Sequence, residues 1–561
     1  MIGAGPLAPI VSYRTDRAMR HSPDSIRFIN ARVYRSADDV RPARSLMTRK
    51  GVIHWIGDDA DAPKADHVID MQGTTIVPGL TDAHVHLFAI ANERQQISLN
   101  GPDVCSIADV LNRISGAAHR SSPAQWIRAV GFDENNLAEH RYPTRDEIDA
   151  VAPNHPVIIR RFCGHTAILN SSALRLLSID DGISDPPSGS FGRDGSGKLD
   201  GSAKESAAEA IFRAIPPIDP ATMAASLRAA IEDSIRMGLT AAVEAAVGFT
   251  SGFDDEFAVW NLLRQDTSFS PIRLGFMYQL DPKEAAARGL TPHRDPDWQG
   301  MTLKFFADGI VGARTAAVSK PFADTGSTGF FMRDEDDLER VIVEAHVGGW
   351  QTATHCVGDR ASARVISAFE KAEKSLPGQR PRHRIEHYFV PPEGGLARMK
   401  ALEALIVTQP SFLARMRRSI LGAFGPEADR MYPARSVIDA GVTWVGSSDA
   451  PTGHVSPWVG MANAVDRGAS LGSRIGSDEA LTRRQALGSY IHGGAFAMKQ
   501  EDWRGTLTPG MAADFIAVDR DPFDTVTDLA KTNVLMTVLR GVVRHDALTT
   551  GQVTMVEAGV H

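Results

Sequence analysis

Through its middle, this chain alternates short apolar runs with helical stretches, and that rhythm limits the folds open to it. Strand-like runs occur at Val157-Ile158-Ile159, Ala241-Ala242-Val243, Leu274-Gly275-Phe276-Met277, Thr302-Leu303-Lys304-Phe305-Phe306, Gln351-Thr352-Ala353-Thr354, Leu405-Ile406-Val407 and Thr443-Trp444-Val445. Helical stretches such as Thr222–Met237 and Asp337–Gly348 lie between them. Strands that alternate with helices build a parallel sheet, because a parallel neighbour needs a long crossover. The fold class expected is α/β, a closed (β/α)8 TIM-type barrel over residues 81–499, with ligands gathered at the carboxyl ends of its strands. Gly101–Asp219 is long for one βα step, so an inserted subdomain is expected at about 101–219. Within it, the Gly/Ser/Asp-rich stretch Ser184–Ser202 reads as a loop and a candidate lid.

The two ends read differently. Ile26-Arg27-Phe28-Ile29, Arg32-Val33-Tyr34, Val52-Ile53-His54-Trp55-Ile56 and His67-Val68-Ile69-Asp70 are short runs with partial alternation, the pattern of a half-exposed antiparallel sheet. Asp514-Phe515-Ile516-Ala517-Val518, Val534–Leu539 and Val542-Val543-Arg544 repeat that pattern near the other end. Residues 26–80 and 500–561 are expected to pair into one small β domain. Residues 1–25 read as a flexible arm. Its apolar start precedes Arg14, Arg17 and Arg20, the reverse of a secretory signal, and Met19 is an alternative start.

Composition narrows the function. A chain of 561 residues with 43% hydrophobic and 23% charged residues has the balance of a globular protein with a large core. Its net charge of -8 disfavours a nucleic-acid binder, and no apolar run is long enough to span a bilayer. Cys105, Cys163 and Cys356 form no CxxC pair, which argues against a disulfide framework or a thiolate zinc site and for a reducing, cytoplasmic compartment. Gly3-Ala4-Gly5-Pro6 lacks the strand and third glycine of a nucleotide-binding loop.

Chemistry enters with His84-Val85-His86, which closes the run Thr75–Ala83. Residues two apart on a strand face the same side, and imidazole is the commonest metal ligand among side chains. Alone, such a pair is ordinary. Further candidates sit in or just after later strands: Lys304, His355, His387 and Asp449. Four histidines and an aspartate can hold two divalent ions if an anion bridges them. A protonated lysine has no lone pair to offer, whereas its carbamate does.

The order His-x-His, Lys, His, His, Asp resembles the amidohydrolase superfamily, and more closely the YtcJ-like amidohydrolases (amidohydrolase family 3), a group that includes N-substituted formamide deformylase. The resemblance extends from about Ile29 to Asp521. It rests on Val77–His86, Gly164-His165 with Asn170-Ser171, Asp308-Gly309 with Gly312–Ala316, His355 with Gly358-Asp359, Arg384 with Glu386-His387, and Ser448–Pro451. It implies a barrel with a β-sandwich from both termini and a centre of two metal ions, most often zinc. His84, His86 and Asp449 would bind one ion and His355 and His387 the other, with carboxylated Lys304 between them. Asp449 would also move protons. Cys163 and Glu244 depart from the family pattern.

The chemistry so implied is hydrolysis of a C–N bond in an amide, formamide, carbamate or cyclic amide by metal-activated hydroxide. His165, Glu205 and Arg314 are candidate substrate contacts. Their plainer readings are a hydrogen-bonded core histidine, an exposed acid at a helix start and an anchor for the loop after Gly309. Lys304 could equally pair with Asp308. His346, His383 and His454 are read as non-ligands, and Asp334–Arg340 as a solvated helix start. Lactone hydrolysis, C–C cleavage and a non-catalytic binding protein are the alternatives. The expected partner is a small-molecule substrate, with no nucleic acid and no membrane; a homodimer is left open.

Overall fold

Eight parallel strands form the central sheet of the computed structural model, which describes residues 24–99, 103–161, 166–187, 189–469 and 474–548. They are β1 (Leu80–Val85), β2 (Leu239–Val247), β3 (Arg273–Tyr278), β4 (Trp298–Phe306), β5 (Gln351–Cys356), β6 (Arg384–His387), β7 (Leu405–Thr408) and β8 (Trp444–Gly446). Each pairs with its sequence neighbour, from β1 through to β8. Nearly every residue in them is buried, as expected of a parallel sheet with both faces covered. Helices return the chain between strands, as Glu335–Val347 does from β4 to β5 and Asp359–Ser375 from β5 to β6. Asp334 starts the former by accepting hydrogen bonds from the backbone of Asp336 and Asp337, which accounts for the charge run there.

The sheet closes through its loops. Among the described residues, no ladder joins β8 to β1. Instead Asp449 N–H donates to the His84 carbonyl at 2.7 Å, and His86 N–H donates to the Ala450 carbonyl at 2.9 Å. The buried Asp82 carboxylate accepts from the backbone of Ser448 at 3.0 Å and of His84 at 3.2 Å. Closure of the barrel therefore sets Asp449 beside the histidine pair.

Both termini supply the β-sandwich. One sheet orders strands Val52–Gly57, Ser45–Arg49, Ser25–Ile29 and His67–Asp70; the other orders Arg32–Val33, Thr75–Pro78, Phe515–Val518, Val534–Leu539 and Val542–Asp546. Their inner faces share a core in which Phe28 meets Phe515 edge-on at 5.0 Å. The sheets are mixed rather than antiparallel: Ser25–Ile29 runs parallel to His67–Asp70, and Arg32–Val33 parallel to Thr75–Pro78. Alternation reports which face is buried, not the direction of the partner strand. The buried pair Arg273–Asp514, at 2.6 Å, ties barrel strand β3 to the start of the C-terminal sandwich strand.

Leu87–Ala230 with Ala258–Leu262 forms a second compact unit. Its six-stranded sheet orders Gly189–Arg193, Leu199–Glu205, Thr166–Leu169, Val157–Arg161, Ile127–Phe132 and Ile97–Ser98. Val157-Ile158-Ile159 thus belongs here and not to the barrel. Val157 and Ile159 enter one apolar core and Ile158 the other, so a strand buried on both faces shows the same continuous apolar run as a barrel strand. The expected loop Ser184–Ser202 contains an antiparallel hairpin, Gly189–Arg193 with Leu199–Glu205, turning at Asp194–Gly197. Its low apolar content reflects an edge position, and Gly197, with a φ of 86°, takes the left-handed position of the turn. Among the described residues, no helix is long and apolar enough to cross a membrane.

Candidate metal centre

Six side chains converge at the carboxyl end of the barrel. His84 ends β1 with Val85, and His86 follows; Lys304 lies near the end of β4, His355 in β5, His387 at the end of β6 and Asp449 after β8. All six line one cavity of about 820 Å³. His84, His387 and Asp449 each present a ligand atom, all within 4.8 Å of one another. His86 Nε2 is 3.1 Å from Asp449 Oδ1, and His84 Nε2 is 3.4 Å from the same oxygen. The His355 and His387 rings are 4.3 Å apart. The tightest cluster therefore joins residues that the family resemblance assigns to different ions.

Three imidazoles are oriented from behind. Glu386 Oε2 accepts from His84 Nδ1 at 2.5 Å, Gln409 Oε1 accepts from His387 Nδ1 at 2.7 Å, and the Gly309 carbonyl accepts from His355 Nε2 at 3.1 Å. Each bond fixes the tautomer and leaves the opposite nitrogen with its lone pair. Glu244 Oε1, on β2, lies 4.0 Å from His86 Nδ1. Glu386 is itself held by Arg384, whose Nη2 also donates to the Ala83 carbonyl at 2.8 Å. Gln409 donates to Ser447 Oγ at 3.1 Å. The motif containing Arg384 and Glu386 was visible in sequence, but the role of neither was. Gln409 was missed, although a polar residue directly after the apolar run Leu405–Val407 stands where barrel sites are built.

Burial favours the neutral imidazole at His86, His355 and His387. Burial lowers the pKa values of His86 and His387, and that of His355 to about 4, with Lys304 adding to the effect at His355. Burial opposes ionisation of Asp449, yet His84 and His86 hold it well below the usual carboxylate range. Lys304 is 2% exposed, and burial draws its amine down to about 8. Among the described residues its ammonium makes no hydrogen bond or ion pair; its nitrogen lies 5.2 Å from the centre of the Phe306 ring. Asp308 does not pair with it. That carboxylate accepts three backbone N–H groups, from Ala317, Val357 and Gly358, at 2.8–2.9 Å.

Arg314 does not line this cavity. Arg314 is bound to Asp324, at 2.9 Å through Nε, and to the Val311 carbonyl, which is the loop-anchoring arrangement. Glu205 is exposed in the second unit, at the end of strand Leu199–Glu205. His165 and Cys163 lie outside the described residues. His346 and His383 form a buried neutral chain. Thr352 N–H donates to His383 Nδ1, so His383 Nε2 donates to His346 Nδ1, and His346 Nε2 donates to the Leu376 carbonyl. Apolar side chains complete the cavity: Phe249 and Phe306 stack at 5.9 Å, with Ile310 and Met332 nearby on its wall.

A barrel whose strand ends present four histidines, a lysine and an aspartate defines a class, and sequence comparison agrees with it. The amidohydrolase family matches residues 67–545, and the chain belongs to that family. It is 29% identical to N-substituted formamide deformylase of Arthrobacter pascens over 534 residues, covering 90% of this chain and 95% of that protein. It is 24% identical to the protein LONG AFTER FAR-RED 3 of Arabidopsis thaliana over 535 residues, with 91% and 90% covered. Among solved structures, an uncharacterized metal-dependent hydrolase from Pyrococcus furiosus is 25% identical, with a TM-score of 0.73 and coverage of 89% of this chain and 100% of that one.

Proposed function

We propose that this protein is a metal-dependent hydrolase that cleaves a C–N bond of a small amide, formamide, carbamate or cyclic amide. The observation that carries the reading is the matched tautomer control around one cavity: three histidines have one nitrogen held by an acceptor, and all three line that cavity with Asp449 and Lys304. Neutral imidazoles and an ionised carboxylate are the donor set that a divalent ion such as zinc requires. His84, His86, His355, His387 and Asp449 would hold two ions. Lys304 would bridge them as its carbamate, a modification that removes an otherwise unpaired buried ammonium. When bound, zinc supplies a Lewis acid for a carbonyl oxygen and a lowered pKa for water.

The residues of this chain do the remaining work. Asp449 accepts a proton from the attacking water on its carboxylate and delivers it to the leaving nitrogen. Phe249, Phe306, Ile310 and Met332 receive the apolar part of the substrate and limit water in the cavity. The name of the Arthrobacter relative supports formamides as the first compounds to try. The free, buried thiol of Cys356 supports a cytoplasmic setting.

The test combines metal analysis with a substrate panel. Protein purified without chelator is expected to carry up to two zinc ions per chain and to release amine from N-formyl or N-acyl compounds. Activity that survives complete chelation overturns the reading. Turnover of lactones or aromatic carboxylates, with no amide turned over, replaces it with C–O or C–C cleavage.

A further inference from the structure

The amino ends of the strands hold a second cavity, of about 460 Å³, a size typical of small-molecule sites. Residues from the segments preceding β4, β5 and β6 surround it: Arg294, Gly348 and Gly349, and Arg380. Lys499 enters from beyond the helix His492–Ala497. Strand β4 runs between the two cavities, with Met301 lining this one and Lys304 the catalytic one.

Its charge is one-sided. Among the described residues, three cations and no carboxylate line it, in a chain whose net charge is -8. Among the described residues, the Arg294 and Lys499 side chains make no ion pair or hydrogen bond. Arg380 reaches only Glu373 and Glu403, at 3.7 and 3.8 Å, near the solvent. Glu501, two residues after Lys499, is taken by Arg382 at 2.5 Å. Lys499 is half-buried, and burial, with Arg294 and Arg382 adding to it, draws its amine down to about 8. Gly348 and Gly349 leave the backbone bare along one wall, so a ligand can approach it closely. Like charges gathered on one concave surface repel one another until an anion enters.

We propose that this cavity binds a small anion carrying at least two negative charges on phosphate, sulfate or carboxylate groups, held by Arg294, Arg380 and Lys499. Guanidinium forks fit tetrahedral oxyanions and carboxylates alike, and Lys499 adds a point charge from the deeper side.

Isothermal titration calorimetry of the full-length, metal-loaded protein tests it, with sodium sulfate as probe at fixed ionic strength in sodium chloride. One saturable site per chain is expected. Its affinity should fall at least tenfold in Lys499→Met and in the double variant Arg294→Ala/Arg380→Ala, both keeping the parent melting temperature in chloride. Parallel titrations with phosphate and succinate separate tetrahedral oxyanions from dicarboxylates as the preferred class. The proposal is overturned if none of the three anions saturates at millimolar concentration. Binding that is unchanged in both variants also overturns it, because the anion then sits elsewhere, the metal centre included.

Discussion

Replacing Glu386 by glutamine keeps the shape of a side chain that is fully buried between His84 and Arg384. The carboxylate serves both neighbours at once, accepting from His84 Nδ1 through Oε2 and from Arg384 through both oxygens. An amide has one acceptor oxygen and one donor nitrogen. If its oxygen faces His84, it keeps the bond from Arg384 Nη2, but its NH2 group points at the Arg384 Nε donor and the guanidinium loses its counter-charge. If it flips, His84 must present a lone pair at Nδ1 and carry its proton on Nε2, the nitrogen that faces Asp449. The first arrangement strands a buried guanidinium that is 1% exposed; the second puts a proton where a metal ligand is needed. Loss of such a supporting carboxylate typically weakens metal affinity about 10- to 100-fold, or about 1.4–2.7 kcal/mol. Leaving Arg384 uncompensated costs about 3–5 kcal/mol of stability on top of that. Zinc affinity is measured by competition with a chromophoric chelator, and folding by far-UV circular dichroism and thermal melts. The expected result is a folded E386Q protein with a lowered melting temperature and zinc affinity reduced by at least tenfold. A folded variant that binds zinc like the parent refutes the argument that Glu386 sets the His84 tautomer. Gln409→Leu, which removes the acceptor behind His387, gives a second reading of the same principle should E386Q not fold.

Asp449→Asn should lower turnover by about 10²–10⁴-fold while the fold is kept, since proton transfer and a ligand charge are lost together; steady-state kinetics and circular dichroism check this. Asp514→Asn breaks a buried ion pair with Arg273 and should cost about 3–5 kcal/mol near neutral pH, read as a fall in melting temperature. Burial opposes the charge on Asp514, but Arg273 and Arg540 hold its pKa below the ordinary value. The folded state thus binds fewer protons than the unfolded state, so the contribution is present above pH of about 4 and is lost as pH falls. The parent and D514N melting curves should therefore converge in acid. Gly358→Ala would place a Cβ 1.9 Å from the Ala317 carbonyl oxygen, beside the backbone bonds to Asp308. It should reduce both stability and metal retention, as seen by thermal melts and metal analysis.

The sequence by itself determined the class of fold. Apolar runs such as Leu274–Met277 and Leu405–Val407, each followed by a helical stretch, require a parallel sheet with both faces covered, and all eight barrel strands could be picked out this way or by the ligand at or near their ends. The same reasoning could not separate Val157–Ile159 from those strands, because burial on both faces writes the same pattern whichever sheet a strand joins. Nor could it see the hairpin in Ser184–Ser202, where an edge strand carries little apolar signal. At the site, residue types and chain order were legible: His84, His86, Lys304, His355, His387 and Asp449 stand at or just after apolar runs. What only the tertiary structure decided is their company. It closed the barrel through Asp82, Ser448 and Ala450, which brought Asp449 to the histidine pair from 363 residues away along the chain. It set Glu386, Gln409 and the Gly309 carbonyl behind three imidazoles, and it committed Arg314 to Asp324. Local periodicity records how a residue is buried within its own element. Which nitrogen of a histidine is left free depends on hydrogen bonds made across strands far apart in sequence, and those exist only once the barrel has closed.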